Sequence, residues 1–457
     1  MNSIDLIQPR HTYAPDPSTG EKGHIYSNTS LWTFGAQLYD GERSIILHDE
    51  NIKPATITSD LVGITLLGAP YIPKVQELIY RIRAEVSHDI QFILGGQLLK
   101  PTTNGLSDSQ FTTLFGPGVY NGMKNEVLAQ FNIRPERTAY KTSLIGMYEQ
   151  LSDEEFLLYF SQEASFFVAQ GCVQNCSFCA ADKGMREKYR EHILYYQDLH
   201  YLLSRLTHLG KKHLSLYMSN LDVFQSPKEL TIFVEIGAQL KHEFPGMTLS
   251  LRGLAGVPYF LKLHKHHPDL LHRIRTIGFT TVGYGVDGMG KDVWTGIKKP
   301  QNNEQNILDT IRLTKETYDM TPELLMVFGH DGIDTAKTLS DAFAFTAHMV
   351  DMYGAIPRPH IAKSFIPRND GRTEQKYAPQ VNNLITHSHL FQVLDFTALA
   401  SDVTHQDPQT ITLANKYYLE ICQLPGSTTQ PILAYSRTDT QEERAQKDSE
   451  NLGKYDR

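Results

Sequence analysis

The stretch Gly171-Cys172-Val173-Gln174-Asn175-Cys176-Ser177-Phe178-Cys179 decides how this chain is read. Its spacing is C-x3-C-x2-C, and the run before it, Ala164-Ser165-Phe166-Phe167-Val168-Ala169, reads as a short buried strand. Three thiolates on one loop suit a cluster that needs three protein ligands and leaves one iron open, since an ordinary [4Fe–4S] carrier takes four cysteines. An open iron can bind a substrate or cofactor. A structural zinc site would want four Cys or His ligands, usually in two pairs. Only Cys422 remains, about 240 residues further on, so an all-cysteine zinc site could be assembled only by the fold. Three buried or redox-active thiols are the other alternative.

Working outward, strand and helix patterns alternate behind the loop. Ser165–Ala169 reads as a first strand, and a helix is expected from Glu191 to His208, after the basic segment Lys183 to Arg190. Further strands are expected at 213–218, 247–252, 280–286, 324–328 and 360–365, with a helical segment between each pair. Six βα units in about 200 residues predict an incomplete TIM-like barrel, because a full one needs ~250. In such barrels the chemistry sits at the carboxyl ends of the strands.

The cysteine spacing, with aromatic Phe178 just before the third cysteine, resembles the radical S-adenosylmethionine (radical SAM) superfamily, whose core is such a six-stranded barrel. The resemblance implies a [4Fe–4S] cluster on Cys172, Cys176 and Cys179. It also implies S-adenosylmethionine beside Phe178, with Ser219, Asn220 and Asp222 toward the amino group of the cofactor. Arg252, expected to end the third strand, has a fork suited to a carboxylate, so it is expected on the methionine carboxylate; a salt bridge at a barrel rim is the alternative. Gly285-Val286-Asp287 resembles the family's Gly-Val-Glu at the ribose-facing position, one methylene short. Lys298-Lys299-Pro300 and Phe328-Gly329-His330-Asp331-Gly332 continue the resemblance. Gly283 to Gly288 also matches G-x-G-x-x-G, but no helix opens directly from it, as a nucleotide fingerprint requires. His330 and His360, at strand ends, are candidates for substrate contact. His264, His266 and His267 read as a wet helix end, with metal binding as the alternative. Cys422 reads as a buried hydrophobe, with a catalytic thiol as the alternative.

Before the loop, Ser3–Gln8, Ser44–Asp49, Leu61–Thr65 and Ile90–Gly96 read as strands, with helices at Leu31–Leu38 and Val75–Val86. Alternation with glycines at strand ends predicts a parallel, Rossmann-like sheet. Its ligand-facing loops are expected at Leu67-Gly68-Ala69-Pro70, Gly95-Gly96-Gln97 and Gly116-Pro117-Gly118. The layout resembles the cobalamin-binding domain that precedes the barrel in one radical SAM class, carried by Asp60-Leu61-Val62-Gly63-Ile64 and Leu94-Gly95-Gly96. That implies cobalamin near Gly68, Gly95, Gly96, Gln97 and Gly116. The D-x-H-x-x-G sequence of other cobalamin proteins is absent. A sheet that only supports the barrel is the alternative.

The expected organisation is an α/β chain. Residues 1–130 form the Rossmann-like domain, 131–160 a linker with a helix N-cap at Ser152, and 161–370 the partial (β/α)6 barrel. Residues 371–435 form a mostly helical extension that could cover the open side of the barrel, and 436–457 a polar, disordered tail. Apolar content of 40% and charged content of 21% are ordinary for a soluble protein. A net charge of −8 argues against general nucleic-acid binding. No 18-residue apolar run and no signal peptide are seen, so a cytoplasmic location and no membrane partner are expected. Four cysteines, three of them clustered, exclude a second iron–sulfur cluster.

The resemblance thus implies an enzyme that splits S-adenosylmethionine reductively, with an electron donor such as flavodoxin or ferredoxin and a small-molecule substrate. If cobalamin is held, it implies methyl transfer to an unactivated carbon or phosphorus centre. The alternatives are a rearrangement, cyclisation or oxidation, with or without cobalamin, and more remotely a zinc-stabilised binding protein.

Overall fold

In a computed structural model, the residues described are 3–14, 25, 27–38, 44–86, 89–96, 99, 106–133, 139–179, 184–363 and 382–454. They form two compact units. One comprises residues 1–150, 363–406 and 432–457; the other comprises 151–362 and 407–431.

The first unit is built on a parallel sheet of β1 (Ser3–Gln8), β2 (Ser44–Asp49), β3 (Leu61–Thr65), β4 (Gln91–Gly95) and β5 (Val119–Asn121), in the order β2-β1-β3-β4-β5. The strands are apolar runs because helices cover the sheet, so strict alternation is lost; all five residues of β3 are buried. The helix Ile72–Glu85 lays Ile72, Val75, Leu78, Ile79 and Ile82 into that core. The order reverses between β1 and β3, and in open α/β sheets ligands sit at such a switch point, beyond the carboxyl ends of the strands.

That topology corrects one expected loop. Gly118 carbonyl accepts from Phe92 N–H at the start of β4, so Gly116-Pro117-Gly118 leads into β5 at the amino edge of the sheet. Gly68 and Gly96 do lie at the carboxyl edge, just after β3 and β4. Gln97 lies outside the described residues.

The C-terminal region divides differently from the expected boundaries. Leu384, Leu390, Phe391, Val393, Leu394, Val403 and Tyr435 join the hydrophobic core of the first unit. The expected polar tail carries a helix, Gln441–Asn451, with a Thr440/Glu443 capping box and Asn451 fully buried. Capping and i,i+4 pairing hold such a helix despite its polarity. Residues 145–148 and 153–160 of the expected linker are helical, and Ser152 caps the second of these in a box with Glu155.

In the second unit the helix Asp153–Phe160 is followed by β6 (Glu163–Phe167) and then by two short strands, β7 (Ala169–Gln170) and β8 (Lys188–Tyr189), that pair only with each other. With β6, the strands β9 (His213–Ser219), β10 (Thr248–Ala255), β11 (Phe279–Gly285), β12 (Thr321–Phe328) and β13 (Ile356–Ile361) form a parallel sheet. Chain order is spatial order, and β6 and β13 are both edges, so six βα units wind a barrel that does not close. Burial alternates: Leu214, Leu216 and Met218 are buried, while Ser215, Tyr217 and Ser219 face the other way, half-buried.

Several strand boundaries move. β10 runs on to Ala255, which leaves Arg252 inside the strand rather than at its end. β13 starts four residues earlier than expected, because Pro357 and Pro359 mask a strand that needs hydrogen bonds on one side only. The helix Pro408–Cys422 packs on β13 and on the helix Ala336–Tyr353, with Tyr417 stacked on Phe343 at 5.7 Å.

Candidate active site

The site begins with a hairpin. After β6, the short strands β7 and β8 pair antiparallel and pinch the cysteine loop between them. Gly171 turns the chain into the loop with φ +106°, where a Cβ would stand 2.9 Å from the Arg186 carbonyl. Backbone bonds from Met185 to Cys172 (3.1 Å) and from Gly184 to Gln174 (3.0 Å) extend the pairing. Arg190 closes it, donating its N–H to Val168 carbonyl and pairing its guanidinium with buried Asp198.

Within the loop, Cys176 is buried and Cys172 and Cys179 are half-buried. Burial pushes the Cys176 thiol up to about 11, opposed by the ammonium of Lys299 and reinforced by Asp287 and the other two cysteines. Burial also raises Cys172, helped by Asp222, Cys179 and Glu187 against the Gln174 N–H bond to its sulfur. The three sulfurs therefore share one electrostatic neighbourhood.

Two loops from the strand ends close on this one. The segment after β11 and its following turn is tied to it twice: Ser177 N–H donates to Ile297 carbonyl (2.9 Å), and Gln301 Nε2 donates to Gln174 Oε1 (2.9 Å). Phe178 packs on His330, ring centroids 5.5 Å apart, and His330 Nε2 bonds the Asp287 carbonyl at 3.1 Å. Asp287 itself sits at φ +57°, and its carboxylate is paired with Lys299. The ribose-facing role expected of Asp287 therefore competes with a buried ion pair.

The turn after β9 forms the other wall. Asp222, 3% exposed, accepts from Phe224 N–H and Gly256 N–H, both at 3.0 Å, which ties the end of β9 to the end of β10. Glu187 accepts from Asp222 N–H at 3.2 Å and from the Tyr189 hydroxyl. Burial raises Asp222 to about 8 and Glu187 to about 7. Glu187 was not anticipated from the sequence: the strand it leads into has two residues, too short for any periodic signal.

Ser219 ends β9, and its carbonyl accepts from Val168 N–H at 3.4 Å. Asn220 and Asn302 each bury a side-chain oxygen that has no hydrogen-bond partner among the described residues. Such orphan acceptors call for a donor from a ligand or water.

Arg252 is not part of this constellation. Its guanidinium forks onto Glu163 (2.8 and 2.6 Å), reaches Glu323 (3.0 Å) and lies over the Tyr217 ring at 4.7 Å. Glu323, 1% exposed, is shared with Arg358. Arg252 stands four residues before Gly256, roughly 13 Å along an extended strand. Its carboxylate-binding fork is occupied by protein carboxylates, as the rim salt-bridge alternative has it.

His264 bonds the Tyr318 hydroxyl at 2.7 Å, while His266 and His267 are exposed at a helix end. His360 lies within β13. Burial raises the thiol of Cys422, at the end of the helix Pro408–Cys422, to about 12.

The donor set suits an iron–sulfur cluster, which takes one thiolate on each of three irons. Among the described residues no group of three His, Cys, Asp or Glu is placed to hold a single metal ion. Among the described residues of the first unit, a Cβ on Gly95 would meet nothing within 4 Å, whereas one on Gly96 would stand 2.2 Å from the Leu66 carbonyl. At the carboxyl edge, then, Gly95 leaves open space among the described residues, while the missing side chain of Gly96 admits the Leu66 backbone.

The described residues thus carry an open six-stranded parallel barrel with a C-x3-C-x2-C loop after its first strand and, before it in the chain, a parallel five-stranded sheet. Among solved structures, the chain is similar to the cobalamin-dependent S-adenosylmethionine radical enzyme OxsB with aqua-cobalamin and S-adenosylmethionine bound. The TM-score is 0.56 and the identity 14%, over 93% of this chain and 60% of OxsB. OxsB with aqua-cobalamin alone gives 0.56 and 13%, over 89% and 58%. Coproporphyrinogen III oxidase (HemN) from Escherichia coli gives 0.35 and 14%, over 60% and 56%. The chain thus spans about 60% of the length of OxsB, and the likeness is one of fold. No protein-family model matches the chain, and no curated protein matches it.

Proposed function

We propose that this chain is a radical SAM enzyme that cleaves S-adenosylmethionine reductively at a [4Fe–4S] cluster and transfers a methyl group to an unactivated carbon or phosphorus centre of a small molecule, with cobalamin. The observation that carries the reading is the three-thiol loop at the carboxyl mouth of an open six-stranded barrel, walled by buried carboxylates and orphan acceptors.

When bound, the cluster with S-adenosylmethionine supplies a 5′-deoxyadenosyl radical, and cobalamin supplies the methyl group. The chain does the rest. Cys172, Cys176 and Cys179 give up their protons to become ligands, and the hairpin β7–β8 fixes where their sulfurs stand. Asp222, locked by two backbone donors and raised by burial, offers a carboxyl group that the cationic end of the cofactor would hold ionised. Asn220 and Asn302 offer acceptors to its N–H and O–H groups. Phe178 and His330 pack the loop against the end of β12, which limits water at the cysteines. In the first unit, Gly95 leaves open space at the carboxyl edge for a ligand, next to Gly96 and close to Gly68 in the chain.

The test is anaerobic reconstitution with iron, sulfide and hydroxocobalamin, followed by desalting. Retained cobalamin, together with S-adenosylhomocysteine formed on turnover, supports the reading. A brown protein that retains no cobalamin turns the assignment toward a cobalamin-free rearrangement, cyclisation or oxidation.

A further inference from the structure

We propose that the solvent-facing side of the cysteine hairpin is the docking surface for a small acidic protein that carries one electron to the cluster. The inference rests on the cysteine loop being a cluster site. Beyond the three cysteines of the loop the chain has only Cys422, too few for a second cluster to relay electrons, so the donor must come to this loop itself.

Backbone pairing fixes which residues meet it. Met185 N–H donates to the Cys172 carbonyl at 3.1 Å and Gly184 N–H to the Gln174 carbonyl at 3.0 Å, which carries the β7–β8 pairing past Gly171. Residues 184–188 therefore run beside the cysteine loop, one hydrogen bond from Cys172.

The charges of residues 184–190 sort by side. Glu187 turns inward, accepting from Asp222 N–H at 3.2 Å and from the Tyr189 hydroxyl, and Arg190 is buried against Asp198. Arg186 and Lys188 are exposed and have no ion-pair partner among the described residues. The next carboxylate in the chain, Glu191, stands at the N-cap of the following helix. In a chain of net charge −8, this stretch keeps its anion inside and two cations outside.

Apolar surface gathers in the same place. Val173 is 40% exposed, Met185 42% and Ile193 56%. Among the described residues nine large hydrophobic side chains are exposed, and three of them fall within residues 173–193. Exposed apolar residues scattered singly need no explanation, but apolar side chains beside unpaired cations have the make-up of an interface, with an apolar centre and a charged rim. Methionine adapts to the surface it meets. The cations select the partner: an acidic surface is drawn in and steered, and a basic one is repelled. Once docked, the carrier loses one electron and the cluster gains it; no bond or proton changes hands.

The experiment compares two reductants on the anaerobically reconstituted protein: dithionite, a small molecule that needs no docking surface, and reduced flavodoxin, an acidic carrier. Arg186→Glu with Lys188→Glu should lower kcat/KM for flavodoxin in 5′-deoxyadenosine formation at least tenfold. The dithionite-driven rate and the iron content should stay within twofold of wild type, since only exposed side chains change. Raising the salt should slow the flavodoxin-driven reaction of the wild type and leave that of the variant level. Flavodoxin binding without turnover, measured by calorimetry at low salt, should weaken by a similar factor. Arg186→Gln with Lys188→Gln, which adds no new charge, should fall between wild type and the reversal. A flavodoxin kcat/KM within twofold of wild type in the reversal variant, or equal losses with both reductants in both double variants, overturns the proposal. So does a wild type that works with dithionite but with neither reduced flavodoxin nor reduced ferredoxin. These outcomes leave the functional reading standing, whereas a wild type that forms no 5′-deoxyadenosine with dithionite overturns both.

Discussion

Replacing Arg252 by Met separates its two roles, ion-pair partner in the barrel wall and cofactor ligand. Arg252 makes three charge-assisted hydrogen bonds, two to Glu163 and one to Glu323. Such bonds contribute about 1.5–3 kcal/mol when buried. Glu163 is 35% exposed, so water recovers most of its share and about 1 kcal/mol is lost there. Glu323 is 1% exposed but keeps Arg358, so that contact costs about 2 kcal/mol. Met retains part of the packing on Tyr217, and the total loss is about 3 kcal/mol. Glu323→Ala should also cost about 3 kcal/mol, since Arg252 keeps Glu163 and Arg358 turns to Thr428 and water. The double variant should cost about 2 kcal/mol less than the sum, because the shared contact is then counted once. Urea unfolding followed by Trp294 fluorescence, in a Trp32→Phe background, reads the second unit alone, since these are the two tryptophans. S-adenosylmethionine affinity should change less than twofold. An Arg252→Met protein within about 0.5 kcal/mol of wild type, with affinity down tenfold, would refute the reasoning and restore the carboxylate-ligand role.

Gly96→Ala should destabilise the first unit by about 3 kcal/mol, read by Trp32 fluorescence, because φ +132° and a 2.2 Å approach to backbone both oppose a Cβ. Gly95→Ala should change stability by less than about 0.5 kcal/mol but reduce cobalamin retention; unchanged retention would remove Gly95 from the proposed site. Asp222 is raised by burial to about 8, so between its unfolded value near 4 and that point the folded state holds a proton the unfolded state has released. Stability of the cluster-free protein should therefore fall as pH rises through this range, with Glu187 adding to the slope up to about 7. Asp222→Asn should flatten the slope in urea midpoints measured across it, and equal slopes would contradict the raised carboxyl.

Much of the fold was legible because burial leaves periodic traces. Every expected strand from Ser3 to Phe328 has a counterpart, since parallel strands under helices are apolar runs bounded by glycines. β13 was displaced because two prolines disguise an edge strand, and β5 was missed because three residues carry no period. Gly116 looked ligand-facing because a glycine turn reads alike at either edge of a sheet; only pairing tells the amino edge from the carboxyl edge. The cysteines were readable from local spacing alone. The partners of Arg252, at positions 163 and 323, and the link from Glu187 to Asp222 join residues distant in sequence, and charge alone names no partner.

The measurement that tests the central claim most directly is 5′-deoxyadenosine formation by anaerobically reconstituted protein given S-adenosylmethionine and dithionite. The account predicts product from the wild type and none from Cys176→Ala, which removes one of three cluster ligands. A colourless wild-type protein, or equal product from both proteins, would contradict it.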